Sequence, residues 1–424
     1  SYSNVPCFLN SNNFYLLLAA GVDGLSYFID QEGWVTPEFW EVAENKLGPV
    51  AEKFGSLFVH LKPEKYKVGL LSSFTTASYN NYYPLDDGIC AYNNLIMAHV
   101  DVETVSEEEL LAGRLGQYDA IVMSNVDWLR NDLFELLSGG KTNIILDQNS
   151  EIPLQGSQVT KLNFNFAEGI CTAASYAGDY AQPARLSAIR YALEEVSPSG
   201  VQMDTNTVIY RRYAAGNAQY LWLVDVHSFD EYKALFDMMI EVSFRYDLLN
   251  SPSSNALQEG IDYLTAKGIY GGKTHIVLKI NTPIKVVVAD VLEGKILPST
   301  YDGGWTVLEV DINRLEGKLL ALYPAAPTAI SIALPQTVTA GKEAVLSTSV
   351  LSASGHLGAS FPLSIEFFDP NGKKHAYSRF TATNEQGSYS LPILLGINAP
   401  KGQWMLNVKE LSTGVQSSMK FTVS

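Results

Sequence analysis

The stretch Lys67-Val-Gly-Leu-Leu-Ser-Ser-Phe74 decides the fold of the central part of this 424-residue chain. It predicts a short apolar strand, which follows a linker at residues 63–65. Strand and helix patterns then alternate as far as residue 196. Further strands are predicted over residues 100–105, 118–124 and 142–147, and helices over residues 88–99, 106–115, 131–137 and 183–196. Alternating βα units of this length predict a parallel, doubly wound sheet.

The second half of the chain has the pattern of a β protein. After Pro198-Ser-Gly200, seven segments read as strands, at residues 207–212, 219–225, 240–247, 274–280, 284–289, 305–310 and 318–323. Their spacing predicts an antiparallel β domain over residues 201–326. Residues 327–424 show the same pattern of short strand-like segments, separated by turn signals such as Asp369-Pro-Asn-Gly372. They predict an immunoglobulin-like β-sandwich that lacks the cysteine pair of antibody domains.

Composition narrows the class of protein. The net charge is −16, from 45 acidic and 29 basic residues, which argues against nucleic-acid binding. No apolar run is long enough for a membrane span, which needs about 18 residues. The three cysteines, Cys7, Cys90 and Cys171, are widely spaced, so we expect buried free thiols and no zinc site. The histidines show no metal-binding spacing, and no cofactor is expected.

Upstream of the central part, residues 14–28 predict the end of a helix that runs through Gly21 into a buried strand. Residues 34–61 predict an amphipathic helix, with Thr36 as its N-cap and Pro37 at its first position. These two elements, from Leu18-Ala-Ala-Gly-Val-Asp-Gly-Leu-Ser-Tyr-Phe28 to Trp34, resemble the last strand and helix of the catalytic barrel in β-galactosidase-like glycoside hydrolases.

The resemblance extends downstream over most of the chain. The stretches Lys67–Phe74, Cys90–Val105 and Leu115–Ser124 are similar to the β-galactosidase trimerisation domain, a relative of class I glutamine amidotransferases. The similarity implies a barrel remnant at residues 1–62, a flavodoxin-like trimerisation domain at 63–200, a closing β domain at 201–326 and a macroglobulin-type sandwich at 327–424. It also implies a longer parent polypeptide, with the sugar-cleaving carboxylates upstream of these residues.

The amidotransferase-like domain lacks the residues of that chemistry. An active member needs a nucleophilic cysteine on a tight turn after the strand that ends at Asp147. Gln148-Asn-Ser-Glu151 stands there instead, and no histidine is placed to activate Ser150. Cys90, near a predicted helix start, is an alternative reactive thiol, with a buried helix residue as the other reading. We therefore name no catalytic residue.

Candidate carbohydrate-binding residues come from two segments. Asp23 and Asp30 lie within the predicted barrel strand or directly after it and could line a barrel mouth, while turn or capping roles are the alternative. Trp34 could stack on a sugar ring or belong to the core. The loop that carries Tyr79, Tyr82 and Tyr83 could be a sugar platform, a subunit contact or a solvated loop.

These observations leave three hypotheses for function. The first is a non-catalytic assembly and accessory portion of a secreted glycoside-hydrolase-like protein, which forms a homo-oligomer and shapes a carbohydrate site. The second is a structural surface protein of a lattice or adhesin. The third is a degenerate amidotransferase-like module that binds sugar. Each places the chain in a secreted, periplasmic or cell-surface setting.

Overall fold

The computed structural model describes residues 18–19, 47–79, 85–156, 158–167, 183–225, 266, 271–314 and 316–424. The chain forms two compact units. The first, here called the α/β unit, comprises Lys65–Tyr210 and Asp225–Gly272. The second, here called the β unit, comprises Ser1–Glu64, Arg211–Val224 and Lys273–Ser424.

The described helices are α1 (Gly48–Phe58), α2 (Phe74–Tyr79), α3 (Leu85–Met97), α4 (Glu107–Leu111), α5 (Asn131–Gly139) and α6 (Pro183–Glu194). The first strands are β1 (Lys62–Pro63), β2 (Val68–Ser72), β3 (Val102–Ser106), β4 (Ala120–Met123), β5 (Asn143–Leu146), β6 (Val159–Lys161), β7 (Val201–Met203), β8 (Val208–Ala215) and β9 (Ala218–Asp225). The next are β10 (Lys273–Asn281), β11 (Val287–Asp290), β12 (Lys295–Leu297), β13 (Thr300–Asp302), β14 (Trp305–Asn313), β15 (Gly317–Tyr323), β16 (Pro327–Ala333) and β17 (Thr337–Val338). The last are β18 (Glu343–Ser352), β19 (Gly355–His356), β20 (Pro362–Phe368), β21 (Arg379–Ala382), β22 (Ser388–Leu394), β23 (Gly402–Glu410) and β24 (Gln416–Val423).

The α/β unit contains a parallel sheet in the order β3-β2-β4-β5-β6. All four residues of β4 are buried, as expected for a strand that is covered on both faces. Helix α3 packs with α6, and α4 packs with α5. Leu110, Leu133 and Leu137 from the second pair pack in one cluster with Ile121 and Ile144 of the sheet. Burial of these side chains drives the sheet and helices together.

The β unit contains antiparallel sheets. One runs in the order β1-β8-β9-β15-β11-β12, and another includes β13-β14-β10, with β10 and β14 paired along their whole length. The burial of β14 alternates almost perfectly, which is typical of a strand with one face on the core. Helix α1 packs on β20 and β21, and it buries Phe54 and Leu57.

The C-terminal residues form a β-sandwich. One sheet joins β16, β18, β19 and β22, and the other has the order β17-β24-β23-β20-β21. Strands β16 and β24 bring the two sheets together. Trp404, Phe367 and Phe421 fill the interior, with the rings of Trp404 and Phe421 centred 6.0 Å apart. Short β17 pairs in parallel with β24, whereas the other strand pairs described for the sandwich are antiparallel.

The predicted combination of α/β and all-β parts is confirmed, and so is the β-sandwich at the C-terminus. The predicted strands of the central part match β2 to β5 within about two residues at each end, which is the usual spread of element boundaries. Residues 18–19, within the predicted helix end, are helical. The rest of residues 14–28, the predicted strand at 240–247 and the start of the helix at Thr36 lie outside the described residues. The boundaries between the four predicted domains stay predictions.

Candidate functional site

The carboxyl edge of the parallel sheet is the place where its topology favours a site. Strand β2 comes first in this sheet, β3 is added on one side of it, and β4 to β6 are added on the other. The strand order therefore reverses between β2 and β4. Ligands of open α/β sheets bind outside the carboxyl ends of the strands at such a switch point.

A buried carboxylate lies beside this point. Glu107 begins α4 directly after β3, and its side chain is buried. Ser73 Oγ donates to Glu107 Oε1 at 2.6 Å, and Thr75 Oγ1 donates to Oε2 at 2.7 Å. Both carboxylate oxygens are thus hydrogen-bonded to hydroxyl groups that follow β2. The contacts join the ends of two neighbouring strands.

Thr76 fixes the loop that follows β4. Its hydroxyl donates to the carbonyl oxygen of Trp128 at 2.8 Å and accepts from the Trp128 N–H at 3.0 Å. Thr76 is itself buried, and both contacts are partly buried. A hydroxyl has one hydrogen and two lone pairs, and this geometry uses the hydrogen and at least one lone pair. The backbone of Trp128 is therefore held on both sides by one side chain.

A second buried carboxylate holds the other end of the same loop. Asp147 follows β5 and accepts from Ser124 Oγ at 2.9 Å and from the Asn125 N–H at 3.2 Å. Asn125 has a φ of 53°, a left-handed conformation that asparagine tolerates better than most residues. The segment 124–128 is thus fixed at its start by Asp147 and at its end by Thr76.

Ser150, the candidate substitute nucleophile, is closed off. It is fully buried, and its Oγ lies 2.8 Å from Asp147 Oδ1 and 3.1 Å from the Met123 carbonyl oxygen. Its Oγ also accepts from the Val126 N–H at 3.0 Å. A nucleophile must be reachable by substrate and activated by a base. The hydrogen bonds to Ser150 instead tie the loop after β5 to the loop after β4.

Two aromatic side chains lie above this hydrogen-bonded edge, and we call them the aromatic pair. The rings of Tyr79 and Trp128 stack with centroids 5.2 Å apart and planes 26° apart. Tyr79 is 70% exposed and Trp128 is 50% exposed. Phe74, at the start of α2, is exposed as well. Solvent-accessible aromatic side chains on a fixed backbone are suited to binding a partner or a ligand.

The structure places one of the predicted site residues, Tyr79, in this aromatic pair. The other five predicted residues, Asp23, Asp30, Trp34, Tyr82 and Tyr83, lie outside the described residues. Sequence reasoning missed Trp128, Glu107 and Thr76. Their positions in the sequence could have identified two of them. Trp128 and Glu107 closely follow predicted strands of a parallel sheet, and sites form at the carboxyl edge of such sheets.

The interpretation of Cys90 as a buried helix residue is confirmed, whereas the predictions of a free thiol and of a reactive thiol were wrong. Cys90 lies in the middle of α3 rather than at a helix start, is buried and is disulfide-bonded. It is therefore neither a free thiol nor an available nucleophile. The odd cysteine count misled the prediction, since two of three cysteines can still pair. Cys7 and Cys171, the other two cysteines, lie outside the described residues.

Within the described ranges, no group of three or more histidine, cysteine, aspartate or glutamate side chains could hold a metal ion. Glu107 and Asp147 use their oxygens to accept hydrogen bonds from hydroxyl and amide groups. In the part of the chain that the structure describes, none of the helices is both long and apolar enough to cross a membrane.

Replacing Thr76 by valine is expected to loosen the segment 124–128. Valine has nearly the same shape but cannot bond to the Trp128 backbone, so the N–H and the carbonyl oxygen of Trp128 each lose the hydrogen bond to this side chain. We expect a loss of about 1–2 kcal/mol in the free energy of unfolding. Urea unfolding measures this loss, and hydrogen exchange should speed up at the Trp128 amide. Thr104→Val, at an exposed position of β3, is the control and should stay within about 0.5 kcal/mol of wild type.

Comparison with known proteins gives little further information. No family model matches the sequence, and no curated protein matches it significantly. A superoxide reductase (neelaredoxin) from Ignicoccus hospitalis is 12% identical over 23% of this chain and 82% of its own, with a TM-score of 0.18. A CARDB domain from Pyrococcus furiosus is 14% identical over 23% of this chain and 89% of its own, with a TM-score of 0.17. An alpha-2-macroglobulin from Salmonella is 16% identical over 35% of this chain and 14% of its own, with a TM-score of 0.20. Scores this low carry no argument about fold or function.

Proposed function

We propose that this chain is a non-catalytic assembly portion of a glycoside-hydrolase-like protein, and that its α/β unit forms a homo-oligomer through the aromatic pair. The observation that carries the proposal is the exposed Tyr79–Trp128 pair. It lies above the carboxyl edge of the sheet, where the polar side chains already form hydrogen bonds with one another. An edge of this kind offers a surface for contact rather than a centre for chemistry.

The order of the parallel strands supports the finer fold assignment that this proposal uses. Counted within the sheet, the order is 2-1-3-4-5, which is that of flavodoxin-like proteins. We infer an amidotransferase-type domain of this class that lacks its nucleophile. The polar residues found after β5 support this inference, since Asp147 and Ser150 serve each other and the neighbouring loop. We assign the C-terminal sandwich to the immunoglobulin-like class on its strand pairing.

The aromatic pair has the properties of an interface centre. Tryptophan and tyrosine are enriched among the residues that dominate binding energy at protein interfaces. The Trp128 backbone is fixed by Thr76, so little conformational freedom would be lost when a partner covers the ring. A patch of exposed aromatic side chains otherwise favours non-specific association, which an acidic chain with a net charge of −16 resists.

Replacing Trp128 by alanine is expected to weaken self-association of the full chain. Loss of a central aromatic contact costs about 2 kcal/mol, or roughly a 30-fold change in the dissociation constant. Sedimentation velocity over a range of protein concentrations measures that constant. Tyr191→Ala is the matched control, because Tyr191 lies in the α/β unit on α6 and is 76% exposed. It should leave the association unchanged.

Two results would contradict the assembly proposal. A wild-type chain that sediments as a monomer at all concentrations would remove the oligomer itself. An oligomer that Trp128→Ala and Tyr191→Ala weaken equally would remove the aromatic pair as its contact. Circular dichroism of both variants verifies that the fold is retained.

Carbohydrate binding by the same pair is the second candidate. Its support is the position of Tyr79 and Trp128 near the switch point, where ligands of α/β sheets bind. Aromatic faces suit the apolar faces of sugar rings. Titration of neutral oligosaccharides, followed by tryptophan fluorescence, tests it. Saturable quenching that Trp128→Ala abolishes would favour sugar binding, and its absence in a chain that still associates would favour assembly alone.

We also propose a location outside the cytoplasm. The disulfide of Cys90 supports it, since such bonds persist in oxidising compartments and are rare in the cytosol.

A further inference from the structure

A buried lysine and a buried aspartate meet in the β unit, away from the aromatic pair. Lys318 Nζ is in direct contact with Asp290 Oδ2. Asp290 is 0% exposed and Lys318 is 8% exposed. Both lie on paired strands, because Asp290 of β11 stands opposite Leu320 of β15, two residues from Lys318. Residues two apart on a strand share a face, so the lysine side chain reaches the aspartate diagonally along the sheet.

A second carboxylate stands beside the pair. Glu293 Oε1 lies 3.1 Å from Lys318 Nζ, and the Glu293 backbone N–H donates to Asp290 Oδ1 at 3.1 Å. Glu293 is partly exposed and also pairs with Lys295, so it keeps a path to solvent. Strand β15, strand β11 and the turn after β11 therefore bring the amine of Lys318 into contact with the carboxyl groups of Asp290 and Glu293.

Stability alone does not explain this arrangement. A buried ion pair is often no more stable than apolar side chains of the same volume, because two charges must lose their water. A lysine and an aspartate in direct contact also supply the two groups that an amide bond joins, an amine and a carboxyl group.

We propose that Lys318 and Asp290 form an intramolecular amide bond in the mature protein, with Glu293 as the proton carrier. Glu293 relays one proton from the Lys318 ammonium to the Asp290 carboxylate, and Nζ then attacks Asp290 Cγ and forms the N–C bond. Glu293 takes a proton from Nζ and passes it to the departing Asp290 hydroxyl, which leaves as water. One amide and one water replace one amine and one acid, so no oxidant or other reactant is needed. Groups held in contact reach effective molarities of about 10⁵ M or more, which offsets the unfavourable loss of water in solution.

This cross-link would tie β11 to β15 covalently. It would raise kinetic stability, which matters most for proteins outside the cell. The inference does not rest on the proposed function, since it concerns different residues and a different unit.

Mass spectrometry of the purified full chain tests the bond. After reduction and alkylation of the cysteines, the expected intact mass is lower by one water than the mass calculated for the alkylated sequence. Trypsin should fail to cut after Lys318, and the peptide of residues 286–295 should appear joined to that of residues 315–342. A wild-type chain at full sequence mass, cut at Lys318, would overturn the proposal.

Three single-residue variants test the roles of Lys318, Asp290 and Glu293 in forming the bond. Lys318→Arg keeps the cation but cannot form the amide, so it should show the full mass. Asp290→Asn should still react and lose one ammonia instead of one water. Glu293→Gln should retain the full mass, because the amide cannot carry the proton. Water loss that persists in Lys318→Arg would place the modification elsewhere and refute this bond.

Discussion

Replacing Gly216 by alanine is expected to lower the free energy of unfolding of the β unit by about 3 kcal/mol or more, which places it among the most damaging single substitutions. Gly216 lies at the turn between β8 and β9, with a φ of 67°. A Cβ atom there would stand 2.2 Å from the Glu385 carbonyl oxygen and 2.4 Å from that of Gly358. Both are backbone atoms, so the clash cannot be relieved by a side-chain rotation.

The close approach has a structural purpose within the β unit. The turn docks on loops of the sandwich, where Gly216 forms a bridge with Ala359 and the Asn217 N–H donates to the Gly358 carbonyl oxygen at 2.6 Å. Nearby, Tyr220 Oη donates to the Ser360 carbonyl oxygen, and the Tyr323 ring stacks on Phe361 at 4.7 Å. A larger residue at position 216 would therefore separate the turn from the sandwich loops on which it packs, in addition to straining the turn itself.

Gly303 is a matched control for this prediction. Its φ is 56°, and nothing lies within 4 Å of the position of a Cβ atom. Gly303→Ala should therefore carry only the left-handed backbone cost of about 1–2 kcal/mol. Urea unfolding of both variants gives the two losses, and hydrogen exchange shows whether the loops at 358 and 385 open. Equal losses would mean that backbone conformation, and not crowding, explains the effect of Gly216→Ala.

Local sequence signals predicted much of the α/β unit. Ser106 and Glu109 have the spacing of a capping box, and the structure shows both reciprocal hydrogen bonds at the start of α4. The apolar runs that became β2, β4 and β5 are short and bounded by turns. In such segments the residue propensities, the hydrophobic periodicity and the capping residues all favour the same element. The sequence alone is therefore sufficient to predict the element.

The candidate site was less predictable, because it depends on contacts between distant residues. Thr76 and Trp128 are 52 positions apart, and nothing in either neighbourhood marks the contact. The short helix α2 was not predicted, yet it carries Tyr79 to the Trp128 ring. The sequence around Asp147 and Ser150 indicates only that the catalytic cysteine turn of amidotransferases is absent. The structural role of these two residues is visible only from their hydrogen bonds. Whether a segment becomes a helix or a strand depends on its local sequence. This site instead depends on which distant segments the sheet topology brings together.

Acidification from pH 7 to pH 4 is expected to cost the α/β unit about 3 kcal/mol through His99 alone. His99 is buried, and its Nε2–H donates to the Val208 carbonyl oxygen at 2.9 Å. Its Nδ1 accepts from Arg190 Nη2 at 2.8 Å. Burial, and next the charge of Arg190, lower the pKa of His99 from 6.5 to about 4.

The sign of the effect follows from proton binding. Between pH 6.5 and pH 4 the unfolded chain binds a proton on His99, whereas the folded chain keeps the imidazole neutral. Each proton bound only by the unfolded state lowers stability as the pH falls, by about 1.4 kcal/mol per pH unit. The loss begins near pH 6.5 and ends near pH 4, where the folded state also takes up the proton. The contribution is therefore fully present at neutral pH and above.

The variant His99→Asn isolates this contribution. His99 has a φ of 62°, a left-handed conformation that asparagine also tolerates, and asparagine does not titrate. At pH 7 the variant should be the less stable chain, because it loses the bonds to Val208 and Arg190. Urea unfolding at several pH values, followed by hydrogen exchange in peptides of α3 and α6, should show the wild type losing about 3 kcal/mol more than the variant between pH 7 and pH 4. Parallel pH profiles for the two proteins would mean that His99 is protonated in the folded state at ordinary pH. The Arg190 guanidinium, which also donates to the Ala98 carbonyl oxygen at 3.0 Å, would then have to move away from the ring.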